Sequence, residues 1–195
     1  MRFFTVILFL FSGILSIAQQ DPLYNQYMFN PLVVNPAYAG SREAISAVVL
    51  HRSQWLGIKE APNTQTVSLH APILDGTVGI GGTLIRDQFG PVTSTGIMGS
   101  YSYRLFLNEA KLAFGLRTSV YNYSFNGTKI EYKEEGEGTS VNTSEWVPSF
   151  DFGIRYYDRT FYAGLTLLYL NNPKLDYASS ASAVNNGAIP SIARH

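Results

Sequence analysis

The side chains in this sequence that could perform nucleophilic catalysis are two histidines with nearby serines. His51 lies two residues before Ser53, and His70 lies two residues after Ser68. A hydrolase of this kind needs a hydroxyl beside an imidazole that accepts its proton. Single histidines on strands serve far more often as polar residues that face an interior. The sequence therefore predicts that both histidines face an interior and that the chain is not an enzyme.

Binding of a cofactor or a metal ion has equally little support among the residues. The segment Gly79–Gly82 reads GIGG, but a phosphate-binding glycine loop opens a helix, and no helical pattern follows here. We expect these glycines to leave room inside a sheet. The acidic stretch Glu131–Glu145 lacks the regular aspartate spacing of a calcium loop, which favours a solvated external loop. The sequence predicts no cofactor and no metal site.

The composition narrows the class of protein. Charged residues make up 14% of the 195 residues and cancel to a formal net charge of +0, so the charge balance does not favour nucleic acid as a partner. Aromatic residues also reach 14%, which suits strands that face lipid or a packed interior. Cysteine is absent, which excludes disulfide bonds and cysteine-ligated zinc.

The first 18 residues have the three parts of a secretory signal peptide. Arg2 precedes an apolar run from Phe3 to Leu15, and Ser16-Ile17-Ala18 supplies the small residues of a cleavage site. The apolar run is shorter than the ~20 residues that a membrane-spanning helix needs. We therefore expect residues 1–18 to be a cleaved signal peptide and residues 19–43 to form an N-terminal segment in the periplasm.

From residue 44 onward, apolar and polar residues alternate in runs of roughly ten residues, the length with which a tilted strand crosses a bilayer. Leu116, for example, is followed by Arg117, which belongs to the opposite face of the same strand. The polar face consists of small residues and a few charged ones, namely Arg104, Arg117, Asp151 and Arg155. The sequence predicts about seven strands whose polar face lines a lumen in which these arginines are solvated.

The predicted connections between strands alternate in length. Tight turns are predicted at Asp75-Gly76, Asn108-Glu109 and Asp158-Arg159, and longer connections at Arg52–Asn63 and Asp87–Pro91. Short periplasmic turns opposite longer external loops are typical of outer-membrane barrels. The predicted fold class is therefore all-β, a transmembrane antiparallel up-and-down β-barrel over residues 44–195 that is surrounded by outer-membrane lipid.

Two pairs of residues are candidates for binding a protein partner. Arg52 and Trp55 lie in the first long connection and are residue types enriched at binding hot spots. An interfacial position at the level of the lipid headgroups is an equal alternative for Trp55. Tyr27 and Phe29 precede the first strand, where they would either plug the barrel or bind a periplasmic partner. The residues leave both alternatives open.

Several short segments resemble the PorP/SprF family of Bacteroidetes. They read YNQYMFN (Tyr24–Asn30), NPAYAG (Asn35–Gly40), RSQWLG (Arg52–Gly57), DQFG (Asp87–Gly90) and SYSYRL (Ser100–Leu105). The resemblance extends over the mature chain from residue 20 to residue 195. It implies an outer-membrane β-barrel of the type IX secretion system that supports export or surface attachment of a secreted adhesin-type protein. Its partners would be that protein and other components of the system.

Members of that family have more strands than are predicted here, so we expect a truncated member with an incomplete barrel. Two further hypotheses about the function fit the residues. A passive porin or solute channel would use Arg104, Arg117 and Arg155 to line its lumen, and single-channel conductance would separate it from a secretion component. A soluble secreted β-sandwich is the third alternative, which recovery from the periplasm without detergent would favour.

We predict that the mature protein begins at Gln19. Signal peptidase requires small residues before the cut, and Ser16 and Ala18 satisfy that requirement. Mass spectrometry of the membrane-extracted protein should therefore give a chain that starts at Gln19, whereas an intact Met1 would contradict the cleavage.

Overall fold

The computed structural model of the chain describes residues 28–127 and 142–171. In these ranges, seven strands form one antiparallel sheet in which each strand pairs with the next along the chain. The strands are β1 (Ser46–Ser53), β2 (Asn63–Ile73), β3 (Val78–Phe89), β4 (Val92–Leu107), β5 (Ala110–Asn126), β6 (Asn142–Tyr157) and β7 (Tyr162–Leu167). The sheet curls into a half-barrel, which confirms the predicted all-β, up-and-down, incomplete barrel.

A short N-terminal region precedes the sheet. It contains one turn of α-helix, α1 (Pro31–Val34), and a 3₁₀-helix, η1 (Pro36–Tyr38). Among the described residues, no helix is both long enough and apolar enough to cross a membrane.

The alternation of residues along the strands decides which side chains each face of the sheet presents. On β4 and β5, Tyr101 and Leu116 are exposed on the outer, convex face, whereas Ser102, Arg117 and Ser119 are buried on the inner, concave face. Successive side chains of a strand point to opposite faces, so a strict alternation in sequence becomes two chemically different surfaces. The predicted assignment of Leu116 and Arg117 to opposite faces is confirmed.

Exposed apolar residues form a band on the outer face. On β4 the band runs from Ile97 to Leu107, which is ten residue steps, or about 33 Å along the strand. At a strand tilt of about 40°, that length spans about 25 Å, the height of the apolar band on membrane barrels. The strand length and the outer surface of this sheet therefore suit the hydrocarbon region of a bilayer.

A row of polar residues and one tryptophan marks one edge of this apolar band. Strand pairing aligns His51, Gln65, Arg86, Thr95, Asn122 and Trp146 across six strands. Polar groups together with a tryptophan are characteristic of the level where the headgroups begin. His51 belongs to this outer row, so the prediction that it faces the interior is wrong. Apolar residues occupy both faces of β1, so its alternation is weak. The alternation therefore did not indicate to which face the His51 side chain belongs.

The three predicted tight turns are present. Asp75 and Gly76 have φ values of 52° and 82°, as a two-residue hairpin turn requires. Asn108 also has a positive φ, of 46°, between β4 and β5. In the turn between β6 and β7, the Asp158 carboxylate accepts hydrogen bonds from the backbone N–H groups of Thr160 and Phe161, both at 2.7 Å. These bonds lower the pKa of Asp158.

The connections at the opposite end differ in part from the prediction. Residues 54–62 form the expected long connection between β1 and β2. The connection predicted at Asp87–Pro91 is instead a tight hairpin, because strand pairing continues to Phe89 and Val92 and only Gly90-Pro91 turn the chain. The acidic connection between β5 and β6 lies largely outside the described residues.

Leu116 is 57% exposed on the outer face and allows a test of the apolar band. Leu116→Arg should lower the free energy of unfolding in lipid vesicles by about 2–4 kcal/mol, because an arginine at the bilayer midplane is poorly solvated. Ser144→Arg is the matched control, since Ser144 lies on the same face beyond Trp146, where the cost should be about 0–1 kcal/mol. Equal effects of the two substitutions in denaturant titrations would contradict a membrane-facing band.

Candidate functional site

The concave face of the sheet is covered by the residues that precede the first strand. We call Asn30–Gly40, which includes α1 and η1, the inner segment. Its side chains Leu32, Ala37 and Ala39 are at most 1% exposed, and η1 packs against β4, β5 and β6. The sequence left open whether the region before β1 plugs the barrel or binds a periplasmic partner. The described part of this region occupies the interior of the half-barrel. Its periplasmic location stays a prediction.

Glycines of the sheet allow this close approach. A Cβ atom added to Gly79 would overlap the carbonyl of Ala39, and one added to Gly115 would overlap the backbone of Ala37. One added to Gly153 would overlap the side chain of Asn35. The backbone of the inner segment thus lies directly on the sheet, as only glycine permits. The prediction that Gly79 leaves room inside a sheet is confirmed.

A buried ion pair joins the sheet to the inner segment. Arg117 Nε lies 2.6 Å from Asp151 Oδ2, and both side chains are only 5% exposed. Arg117 Nη1 also donates to the carbonyl of Val33 and, at 3.4 Å, to that of Leu32. The second carboxylate oxygen of Asp151 accepts from the backbone N–H of Tyr169 at 2.8 Å. The pair therefore connects β5, β6, the inner segment and the chain beyond β7.

Arg104 makes a second attachment, at the other end of the inner segment. Its Nη2 donates to the carbonyl of Ala39, and its Nη1 donates to that of Gly76 in the β2–β3 turn, both at 2.6 Å. Ser102 Oγ donates to the same Ala39 carbonyl at 2.7 Å. The guanidinium of Arg155 stacks on the ring of Tyr38, with its carbon 4.6 Å from the ring centroid.

The interior location of the three arginines was predicted correctly, but the predicted solvation of Arg104 and Arg117 is wrong. Arg104 and Arg117 are 3% and 5% exposed, and backbone carbonyls or a carboxylate accept from both of them. Alternation indicates on which face a residue lies, but it does not show what else lies against that face. Because the inner segment has no regular hydrophobic period, its position over the arginines could not be predicted from the sequence.

His70 and Ser68 on β2, one of the candidate catalytic pairs, instead form hydrogen bonds with the inner segment and with β3. His70 is 4% exposed and faces the interior as predicted, and its Nδ1 accepts from the backbone N–H of Gly40 at 3.1 Å. Ser68 accepts from the Asn30 amide at 2.7 Å and shares a 2.9 Å hydrogen bond with Thr83. The nucleophile–base contact that a hydrolase needs is therefore not formed between these two side chains.

Aromatic residues fill the interior nearer to the polar row. The rings of Tyr121 and Tyr123 stack with their centroids 5.9 Å apart, and Tyr121 Oη lies 3.7 Å from the sulfur of Met98. Tyr123 and Val147 are 7% and 5% exposed. A Cβ atom at Gly96 would lie 2.7 Å from the Tyr121 ring, so this glycine makes space for the tyrosine. This cluster and the inner segment therefore both pack on the concave face of the sheet.

The candidate partner-binding residues lie in different parts of the molecule. Trp55 is 59% exposed in the β1–β2 connection, where its ring contacts that of Phe89 edge to face at 6.4 Å. Arg52 is on β1 and only partly exposed. Phe29, 60% exposed, directly precedes the inner segment, and Tyr27 lies outside the described residues. Phe29 therefore lies in a different region from Arg52 and Trp55, and the role of all four residues in binding stays a prediction.

Comparison of the sequence with known protein families identifies the family of this chain. The profile of the family described as "Type IX secretion system membrane protein PorP/SprF" matches residues 16–191. The chain belongs to the PorP/SprF family. No curated protein and no solved structure matches it significantly. The motif NPAYAG, one of the segments that resemble the PorP/SprF family, is the part of the inner segment that lies on the glycines of the sheet.

We predict that Arg117→Leu destabilises this PorP/SprF protein by about 3–5 kcal/mol, because it leaves the carboxylate of Asp151 buried without its partner. The double variant Arg117→Leu/Asp151→Leu removes both charges and should recover a large part of that loss. Denaturant titrations of the two single variants and the double variant measure the coupling. Limited proteolysis should also cut the inner segment faster in Arg117→Leu than in the wild type.

Arg86→Leu is the control for this experiment, because Arg86 is an exposed arginine on the outer face. Its effect should stay within about 0.5 kcal/mol, as is usual for surface positions. If the double variant were as unstable as the sum of the two single variants, the ion pair would contribute no coupling, contrary to the prediction.

Proposed function

We propose that this chain is a non-enzymatic outer-membrane component of the type IX secretion system, which supports export or surface attachment of a secreted adhesin-type protein. The observation that carries the proposal is the family match over residues 16–191. The outer apolar band of about 25 Å supports the membrane location, because a soluble sheet has no need for such a surface. The outer membrane is the one that β-barrels of Gram-negative bacteria span.

The interior geometry favours binding over solute conduction as the basis of this function. A channel hypothesis relied on arginines that line an open lumen. In the described residues, Arg104 and Arg117 instead hold the inner segment, and Arg155 stacks on Tyr38. Side chains already bound to the protein backbone are poor ligands for passing solutes. We therefore place the function of the protein on surfaces that other components reach.

Trp55 is the residue that we propose to bind a partner outside the membrane. It has the residue type and exposure of a binding hot spot, and it lies in a connection that is fixed to the neighbouring hairpin. The backbone N–H of Gly90 donates to the carbonyl of Glu60 at 3.0 Å, and the Trp55 ring contacts Phe89. Arg52 is proposed as its neighbour in that site, and Tyr27 and Phe29 as residues that bind a partner on the periplasmic side.

Deletion of the gene, followed by complementation, tests this proposal. The deletion strain should lose surface presentation of the adhesin-type protein, measured by labelling whole cells with an impermeant reagent. The wild-type gene should restore it, and Trp55→Ala should restore it only in part, although the protein is present in the outer-membrane fraction at the wild-type level. Normal surface presentation in the deletion strain would contradict the proposed function.

Trp146→Ala is the matched control for this experiment. Trp146 is 64% exposed, similar to Trp55, but it lies in the polar row of the outer face, where its indole suits the lipid interface. We expect Trp146→Ala to restore surface presentation fully. A defect of equal size in both variants would assign Trp55 to the lipid interface and contradict its role in partner binding.

A further inference from the structure

Arg86 on β3 is the one lysine, arginine, aspartate or glutamate on the outer face of the described strands. Its side chain is exposed and has no carboxylate partner among the described residues. Strand pairing places Gln65 of β2 and Thr95 of β4 beside it, each about 4.8 Å away across the sheet. Gln88 and Thr93 pair with each other on the same face, one step further from the apolar band. We call these five residues the Arg86 patch.

Acidic residues occur at the same level of the sheet, but they belong to its inner face. Asp87 directly follows Arg86 and accepts a hydrogen bond from Thr64 at 2.5 Å. Glu145 of β6 alternates with the exposed Trp146. A protein surface that meets only water usually carries charges of both signs. The outer face at this level instead combines one cation with hydroxyl and amide groups, which attracts a phosphate and does not repel it.

The polar part of the outer face is taller than the headgroup layer of a phospholipid bilayer. On β5 it runs from Asn122 through Ser124 to Asn126, which is about 13 Å along the strand. At a strand tilt of about 40°, this length rises about 10 Å. The headgroup layer on each side of an ordinary bilayer is only about 5–8 Å thick. A lipid layer whose headgroups contain sugars would cover the whole polar part.

The opposite end of the outer face stays apolar as far as the turns. Ile73 ends β2 and Leu107 ends β4, and their side chains are 41% and 48% exposed directly before the turns that follow. The two ends of these strands therefore suit surroundings of different chemistry. Such an asymmetry matches a membrane in which one leaflet has phosphorylated sugar headgroups and the other has phospholipid headgroups.

We propose that the Arg86 patch binds a phosphorylated glycolipid of the outer leaflet. The guanidinium of Arg86 donates to a phosphate of the headgroup, and the amides and hydroxyls around it exchange hydrogen bonds with the sugar hydroxyl groups. Gln65, Arg86 and Thr95 are exposed, so a headgroup reaches them without any change in the fold. The proposal rests on the proposed outer-membrane location and is independent of the role in secretion.

Titration of the detergent-solubilised protein with lipid A, a diglucosamine lipid that carries phosphates, tests the patch. Isothermal titration calorimetry should show saturable binding. Dephosphorylated lipid A keeps the sugars, and phosphatidylglycerol has a phosphate without sugars, so each should bind more weakly than lipid A. If either lipid bound as tightly as lipid A, the phosphate or the sugars would contribute nothing to recognition, and the proposed ligand would be wrong.

Arg86→Gln should weaken the binding of lipid A about tenfold or more, as expected for the loss of a charged hydrogen bond. Gln65→Glu changes the charge but hardly the shape, and it should also weaken binding, because the new carboxylate neutralises Arg86 across the strand pair. Arg159→Gln is the matched control. Arg159 is an exposed arginine in the β6–β7 turn at the opposite end of the sheet, so this variant should bind lipid A as the wild type does.

Two results would overturn the proposal. One is unchanged affinity in both Arg86→Gln and Gln65→Glu, and the other is the absence of saturable binding by a protein that is recovered in the outer-membrane fraction. That fractionation tests the location separately, so a failure of the patch is distinguishable from a failure of the proposed function. Vesicles of phospholipid alone contain no such ligand for Arg86, which agrees with the small effect on unfolding expected for Arg86→Leu.

Discussion

The buried pair of Arg117 and Asp151 is the interaction on which the interior of the half-barrel depends. An arginine in the interior of a sheet is costly unless a carboxylate and further acceptors satisfy it. Here the pair joins two adjacent strands, and Nη1 of Arg117 donates to carbonyls at the C-terminal end of α1. The strands and the segment that precedes them therefore form one cooperative unit, because displacement of the segment removes hydrogen-bond acceptors from the buried Arg117.

The glycines of the sheet make this arrangement sterically possible. Gly79, Gly115 and Gly153 bring the backbone of the inner segment close enough for side chains of the sheet to reach its carbonyl groups. Larger residues at these positions would separate the two backbones and remove the acceptors that Arg104 and Arg117 have in the inner segment. The small residues of NPAYAG complement the sheet in the same way, because their own side chains need little space.

Much of the sheet could be predicted from the sequence, because alternation and turn chemistry are local properties. Leu116 and Arg117 were assigned to the correct faces, and the turn at Asp75-Gly76 was recognised from two residues. The interior was not predictable, because the contact between Arg117 and Val33 joins residues far apart in a region without periodicity. The hairpin at Gly90 was missed for a related reason, since strand pairing beyond Asp87 depends on the partner strand and not on the turn residues alone.

The direction of the two outermost strands limits what can complete the barrel. In an up-and-down sheet of seven strands, β1 and β7 run in the same direction. A segment that pairs antiparallel with both must therefore supply an odd number of strands. A second copy of this sheet has seven strands, but it meets the requirement only when inserted upside down relative to the first. Two copies inserted with the same polarity would have to join through parallel pairs, a different hydrogen-bond pattern from every pair in this sheet.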